Sequence, residues 1–449
     1  MKMRIGTGTL LLVTLIFIGF LAVYIVFSRL EIINKDHSLS TQMLQSEQGS
    51  NHNQPVKIKF GMWETKTDVE FWTRKVREYS DIKPNVTVQV ETIPDNSGQY
   101  LKVRLAVGDL PDVFYLKAAY LPIYKNSLQP LDHLNATSRN RYPAELDGEI
   151  LGLPLVSFTE YVYYHPSIFQ EVGVDVPQTL SEFMSVLEKI KAHGKYIPIA
   201  IGGKEDWTFY PFIEFGPPML KGDENYLANI SNMKEPFGKD SAFEKAAYML
   251  KRIADNQLAG SNALGIGFDQ ATQLFQSNQA AMIAMGQWYY SDHMTKVGDD
   301  KDLDAFALPW RTSREERLQA ITIPDQYIAI NKNSQNTEEA KAFLEWVFST
   351  SVYQTYILNS QNTSTLTDVA SSPAFFNKVK RKHPFESFMY GGISQKFTII
   401  KNAAHYDEKK MAQEIFAGAS VDDIQKRMNE DWSKALQSID VRNPTFFDN

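Results

Sequence analysis

The chain has 449 residues, with 46 Lys and Arg against 53 Asp and Glu, and 0 cysteines. Its length exceeds what one compact core fills, so two lobes are expected. A formal charge of −7 without a basic block argues against nucleic acid as a partner, and the lack of cysteine excludes disulfides, thiolate metal sites, cysteine catalysis and a lipid-bearing cysteine.

Lys2 and Arg4 precede an uncharged stretch from Ile5 to Ser28, whose apolar core is Thr9–Phe27. Roughly 19 residues at ~1.5 Å each span the hydrocarbon core of a bilayer, whereas a secretory apolar region needs only ~7–15. Residues 1–28 are expected to form a transmembrane signal anchor with a cytoplasmic N-terminus. A cleaved signal peptide, using the weak site Val26-Phe27-Ser28, is the alternative, and the protein would then be secreted. Residues 29–55, polar and rich in Ser, Gln and Asn, read as a flexible tether.

Val56–Phe60 alternates apolar and polar residues and predicts a strand, followed by a helix over Asp68–Tyr79. Val86–Val90 predicts a second strand, Tyr100–Val107 a helix ending at Gly108, and Asp109–Leu116 contains a third strand. This alternation implies an α/β fold with mostly parallel sheets and right-handed crossovers. Further on, Tyr161–Tyr164 predicts a buried strand, with a turn at His165-Pro166 after it. Thr179 and Glu182 form a capping box at the start of a helix that ends at Gly194.

The string from Pro154 to Gly194 resembles the signature region of family 1 extracellular solute-binding proteins, the maltose-receptor-like sugar receptors of ABC importers. Pro154, Leu155, Val156, Val162, Tyr163, Tyr164, Phe169 and Glu171 fit its pattern; Tyr161 replaces a small residue and His165 an Asn or Asp. Asn278–Tyr290 and Tyr327–Phe348 resemble later elements of the same family. The resemblance implies a two-lobe periplasmic-binding-protein fold of class II type, with a hinge and an interlobe cleft. Lobe 1 would comprise 56–157 plus about 325–385, and lobe 2 would comprise 158–324 plus about 386–449. It also implies an oligosaccharide ligand, ABC permease subunits as partners, and a monomer on the extracytoplasmic face of the membrane.

Ligands of open α/β sheets sit at the carboxyl ends of strands. There the sequence places Trp63 and Glu64 after the first strand, Lys117 after the third, and Glu160 and Tyr161 where the chain crosses lobes. Asp206 and Trp207 follow the apolar run Ile197–Ile201. Trp288 and Tyr289 follow Met282–Met285, Trp310 follows Phe306–Pro309, and Asp325 lies at the return crossing. Aromatic rings stack on the C–H faces of a pyranose, while carboxylates and Lys bond its hydroxyls, so this set suits a carbohydrate. Trp72, Trp346 and Trp432 stand at helical spacing and read as core. The Asp-Arg clamp of the maltose receptor is replaced by Ala118-Ala119-Tyr120, so maltodextrin is not implied.

The 8 His show no metal-ligand spacing, and neither a nucleophile elbow nor a phosphate loop occurs, so no cofactor, metal or enzymatic activity is expected. Two alternatives to a transport receptor stay open on sequence grounds. One is a receptor of the same fold coupled to a membrane kinase. The other is a cleft glycoside hydrolase built on Glu160, Asp206 and Glu214.

Overall fold

A computed structural model describes residues 55–94, 98–369, 373–390 and 394–442. The expected anchor, 1–28, and all but the last residue of the expected tether, 29–55, lie outside these. Among the described residues no helix is long and apolar enough to cross a membrane.

Strand β1 (Val56–Trp63) turns Ile58, Phe60 and Met62 inward. Helix α1 (Lys66–Ile82) follows, its first turn closed by Thr65 Oγ1 accepting from the Asp68 amide. It buries Phe71, Trp72, Val76 and Tyr79 on one face. Strand β2 (Val86–Ile93), helix α2 (Gln99–Ala106) and strand β3 (Val113–Leu116) complete the predicted alternation. β3 pairs parallel to β1, with Phe60 opposite Val113. Phe60 fixes the packing here, meeting Trp72, Tyr115 and Phe343 edge-on with centroids 5.6, 5.7 and 5.2 Å away.

The short β4 (Ala144–Leu146) leads into β5 (Glu149–Tyr164), a 16-residue strand of which Tyr161–Tyr164 is only the end. The second half of the molecule then builds from α3 (Leu180–His193), α4 (Ala242–Asp255), α5 (Phe268–Gln276), β6 (Met282–Gly286), α6 (Tyr289–Val297) and β7 (Asp304–Phe306). The chain returns along β8 (Gln319–Ile330) to α7 (Thr337–Val347) and α8 (Thr350–Ser360) of the first half. Helix α9 (Ala374–Lys382), strand β9 (Glu386–Met389) and helices α10 (Gln395–Ala403), α11 (Glu408–Phe416) and α12 (Val421–Arg442) end the described chain.

Two strands organise everything else. The main path runs β2-β1-β3-β8-β5-β4. Between Leu153 and Thr159, β5 lies antiparallel to β8; from Glu160 to Tyr164 it exchanges that partner for β6 and β7. β8 does the reverse, pairing with β9 at Gln319–Thr322 and with β3 at Tyr327–Ile330. Parallel pairing was expected to dominate. Instead antiparallel ladders surround β5 and β8, because a strand leaving one half and a strand returning to it must lie side by side in opposite directions.

Thr179 caps α3 as expected, but the Glu182 carboxylate accepts from the Gln178 amide, one residue earlier than a standard capping box. Trp72 and Trp432 are fully buried, and Trp346 packs against Phe343 and Tyr79. The sequence reading leaves α9 with the first lobe. Its apolar face nonetheless lies on second-half residues: Phe376 stacks on Tyr161 at 5.0 Å and Phe375 on Tyr290 at 4.5 Å. Helical spacing announces such a face but not its partner.

Under β8 lies a buried polar knot. Gln326 has a left-handed backbone (φ 52°), a strained conformation for a non-glycine residue. Its side chain donates to Asp68 Oδ2 at 2.9 Å, and the Tyr356 hydroxyl lies 2.7 Å from both Asp68 Oδ1 and Gln326 Oε1. Desolvation outweighs these bonds and pushes the Asp68 pKa from 3.8 up to about 6. A raised carboxylate favours the folded state most when protonated. Stability from this group is therefore full below about 3.8 and is lost as pH rises through about 6. Urea denaturation across this window should show up to about 3 kcal/mol of pH-dependent loss. Asp68→Asn should abolish that component; an unchanged slope in the variant would place the titration elsewhere.

Candidate functional site

The carboxyl ends of β1 and β3 and the middle of β8 bring three expected residues together. Lys117 Nζ lies 2.9 and 2.8 Å from the two Asp325 carboxylate oxygens and 4.4 Å from the centroid of the Trp63 ring. Trp63 is itself set edge-on against Tyr115 at 5.5 Å. The result is a polar wall with a fixed aromatic floor, its lysine still 33 % exposed. Glu64 stands exposed next to it.

A second wall forms in the other half. Trp207 and Trp288, both partly exposed, lie 6.3 Å apart, with Phe268 5.0 and 5.8 Å from them. Trp207 also stacks over Tyr210 at 6.3 Å, and its Nε1 donates to Glu205 at 2.8 Å. Glu205 in turn accepts from the Phe268 backbone amide, so one carboxylate ties the Trp207 indole to the start of α5. Asp206 is half-buried at the start of the same short helical turn. Gly286 is required here: a Cβ would stand 2.4 Å from Trp288 Nε1 and 2.9 Å from Phe158.

Glu160 lies opposite Gly286 in the β5–β6 ladder, next to the second wall. The Tyr210 hydroxyl accepts from the Gly286 amide at 3.0 Å and donates to the Glu160 carboxylate at 3.1 Å. Burial pushes the Glu160 carboxyl well above the usual carboxylate range, against the Tyr210 bond and with help from the charge of Glu214. Trp310 packs on Gly216 and borders a small pocket shared with Glu160 and Gln319.

Tyr161 and Tyr289 belong with the core by their contacts. Side chains alternate along β5, so Tyr161 turns away from Glu160 and onto Phe376. Tyr289 is fully buried against Tyr163, Phe275 and His293. Glu205, Tyr210 and Phe268 escaped the sequence reading. The first two flank Asp206-Trp207 and were within reach of it, whereas Phe268 arrives on α5 from a distant stretch without a distinctive signal. Among the described residues no group of acidic or His side chains has the geometry of a metal site.

Residues 63–354, more than half of the chain, match the family model described as bacterial extracellular solute-binding protein, and the chain belongs to that family. The multiple sugar-binding protein of Streptococcus mutans is 24 % identical over 320 residues, covering 65 % of this chain and 74 % of that protein. The melibiose/raffinose/stachyose-binding protein MelE of Bacillus subtilis is 24 % identical over 225 residues, 47 % of this chain and half (50 %) of that one. Among solved structures, RafE in complex with raffinose superposes with a TM-score of 0.71 at 18 % identity, covering 85 % of this chain and 100 % of that one. The mannobiose complex of BlMnBP1, a binding protein of an ABC transporter from Bifidobacterium animalis subsp. lactis, gives 0.72 at 19 % identity over 86 % and 96 % of the two chains. The two-lobed α/β fold of these structures is the fold of this chain.

Tyr210→Phe should cost about 1–3 kcal/mol in urea denaturation, because it strands the Gly286 amide and removes the donor to Glu160. Full retention of stability would mean that the Tyr210 hydroxyl does not bridge the two.

Proposed function

We propose that this protein is an extracytoplasmic oligosaccharide receptor that delivers its ligand to the permease of an ABC importer. One observation carries the proposal: two complementary walls, each at strand ends of a different half. Trp63, Lys117 and Asp325 supply a polar face. Trp207 and Trp288 supply partly exposed rings next to Glu160 and Asp206. Apolar pyranose faces stack on such rings, and sugar hydroxyls satisfy the ammonium and carboxylates. Relatives named for sugars, raffinose and mannobiose among them, support the same reading.

In this proposal the lobes are 56–157 with 325–369, and 158–324 with 373–442, and β5 and β8 act as the hinge. Residues 1–28 anchor a monomeric receptor to the membrane, and 29–55 tether it. Ligand binding works only if sugar prefers the closed arrangement to the open one, since equal affinity shifts no population.

Calorimetric titration with raffinose, stachyose, mannotriose and diacetylchitobiose tests the proposal. At least one should bind, and Trp288→Ala should weaken that binding by about 1–3 kcal/mol with the melting temperature little changed. If Trp288→Ala binds as tightly as the parent, or merely unfolds, the ring is a packing residue and the second wall is not the platform.

A further inference from the structure

Beyond Glu160, where Ala119 and Tyr120 of the first half approach α10 and α11 of the second, lies a group of charges that the two walls do not use. Lys409 Nζ pairs with Glu214 at 3.1 Å, and Lys401 Nζ lies 2.9 and 2.8 Å from the Glu408 carboxylate oxygens. The Lys401 ammonium also sits 5.9 and 5.6 Å from the rings of Phe397 and Tyr406. One turn before Lys401 on α10, Thr398 Oγ1 donates to the Ala119 carbonyl of the first half at 3.4 Å. Tyr120 lies within the electrostatic reach of all four charged groups.

Three of these side chains are partly exposed. Lys401 and Lys409 each keep 34 % of their side chain exposed and Glu214 keeps 29 %, whereas Glu408 keeps only 10 %. Desolvation opposes the charge on both lysines, but the facing carboxylates outweigh it and hold both above the usual lysine range. Ion pairs that keep this much surface contribute little to stability, so stability alone does not account for them.

We propose that Glu214, Lys409, Lys401 and Glu408, facing Tyr120 across the lobes, form a further subsite of the cleft that reads adjacent hydroxyls of an uncharged sugar ring. The inference rests on the oligosaccharide reading above. A sugar hydroxyl both donates and accepts, so two neighbouring hydroxyls can bond an ammonium and a carboxylate held 3.1 Å apart. Two cations and two anions cancel, which favours a neutral ring over a uronate or a phosphorylated sugar. The site continues the walls already described, since Glu214 directly follows the short helix begun by Tyr210, and Tyr120 stands three positions beyond Lys117.

The same four sugars are titrated into the parent protein and into Lys409→Met and Glu214→Gln. In parallel, parent protein with ¹³C-methylated lysines is followed by NMR, its Lys401 and Lys409 signals assigned by Lys→Arg substitution. The sugar that binds should do so at least tenfold more weakly in both variants, and should shift both lysine signals in the parent. If a variant fails to fold, the parent NMR signals decide. Sugar bound with parental affinity by both variants, or without movement of either lysine signal, overturns the subsite and leaves the receptor reading in place. If none of the four sugars binds even the parent, the receptor reading falls and the subsite with it.

Discussion

The structure depends on the antiparallel pairing of β5 with β8. Register from Leu153–Ile328 to Thr159–Thr322 commits two strands to each other, and each then continues into a different set of partners. In the shared segment each strand satisfies one edge of the other, while the outer edge of β5 is bonded to Thr363 at Ser157 and to the Gln287 amide at Thr159. In the proposed receptor the two halves change their relation by bending this ribbon. The positions of the candidate site residues follow from the same constraint. Glu160 is the residue at which β5 changes partner, and Asp325 lies where β8 does.

Polar groups around this ribbon are held by dedicated partners. Asp68 and Tyr356 secure the strained Gln326, which directly follows Asp325, itself held by Lys117. Tyr210 connects Glu160 to the next strand. A half-satisfied buried network is costly, so each group needs its partner for the strand ends to hold their geometry. Preorganisation of this kind limits what a ligand must order on binding, which favours affinity.

Much of this was legible in the sequence where local rules act alone. The alternation of β1, the amphipathic α1 and the Thr179 cap of α3 are all local, and all are found. β5 was legible only from Tyr161 to Tyr164. Upstream of it, Pro154 has no amide to satisfy, and its carbonyl accepts from Asn140 and Thr365. Those two partners come from distant sequence and cannot be inferred from neighbours. His165, which departs from the family pattern, has both ring nitrogens 2.8 Å from carbonyl oxygens, those of Asp302 and Phe275. Of the tryptophans at strand ends, Trp63, Trp207 and Trp288 stand in the two walls, whereas Trp310 is buried against Gly216. Adjacent positions were not equivalent: Glu160 and Tyr161 are consecutive, and one faces the seam while the other enters the core. The charged group at Lys401 and Lys409 was invisible, because its members come from three separate stretches, each unremarkable alone.

The central claim is that sugar is held between two halves hinged on β5 and β8. The absence of native cysteine makes a direct measurement clean. Spin labels can be placed through Arg77→Cys on α1 and Ser185→Cys on α3, both exposed positions. Pulsed electron resonance then reports the distance distribution with and without a saturating oligosaccharide. The account predicts a shorter and narrower distribution when sugar is bound. A sugar that binds tightly and leaves the distribution unchanged would contradict it.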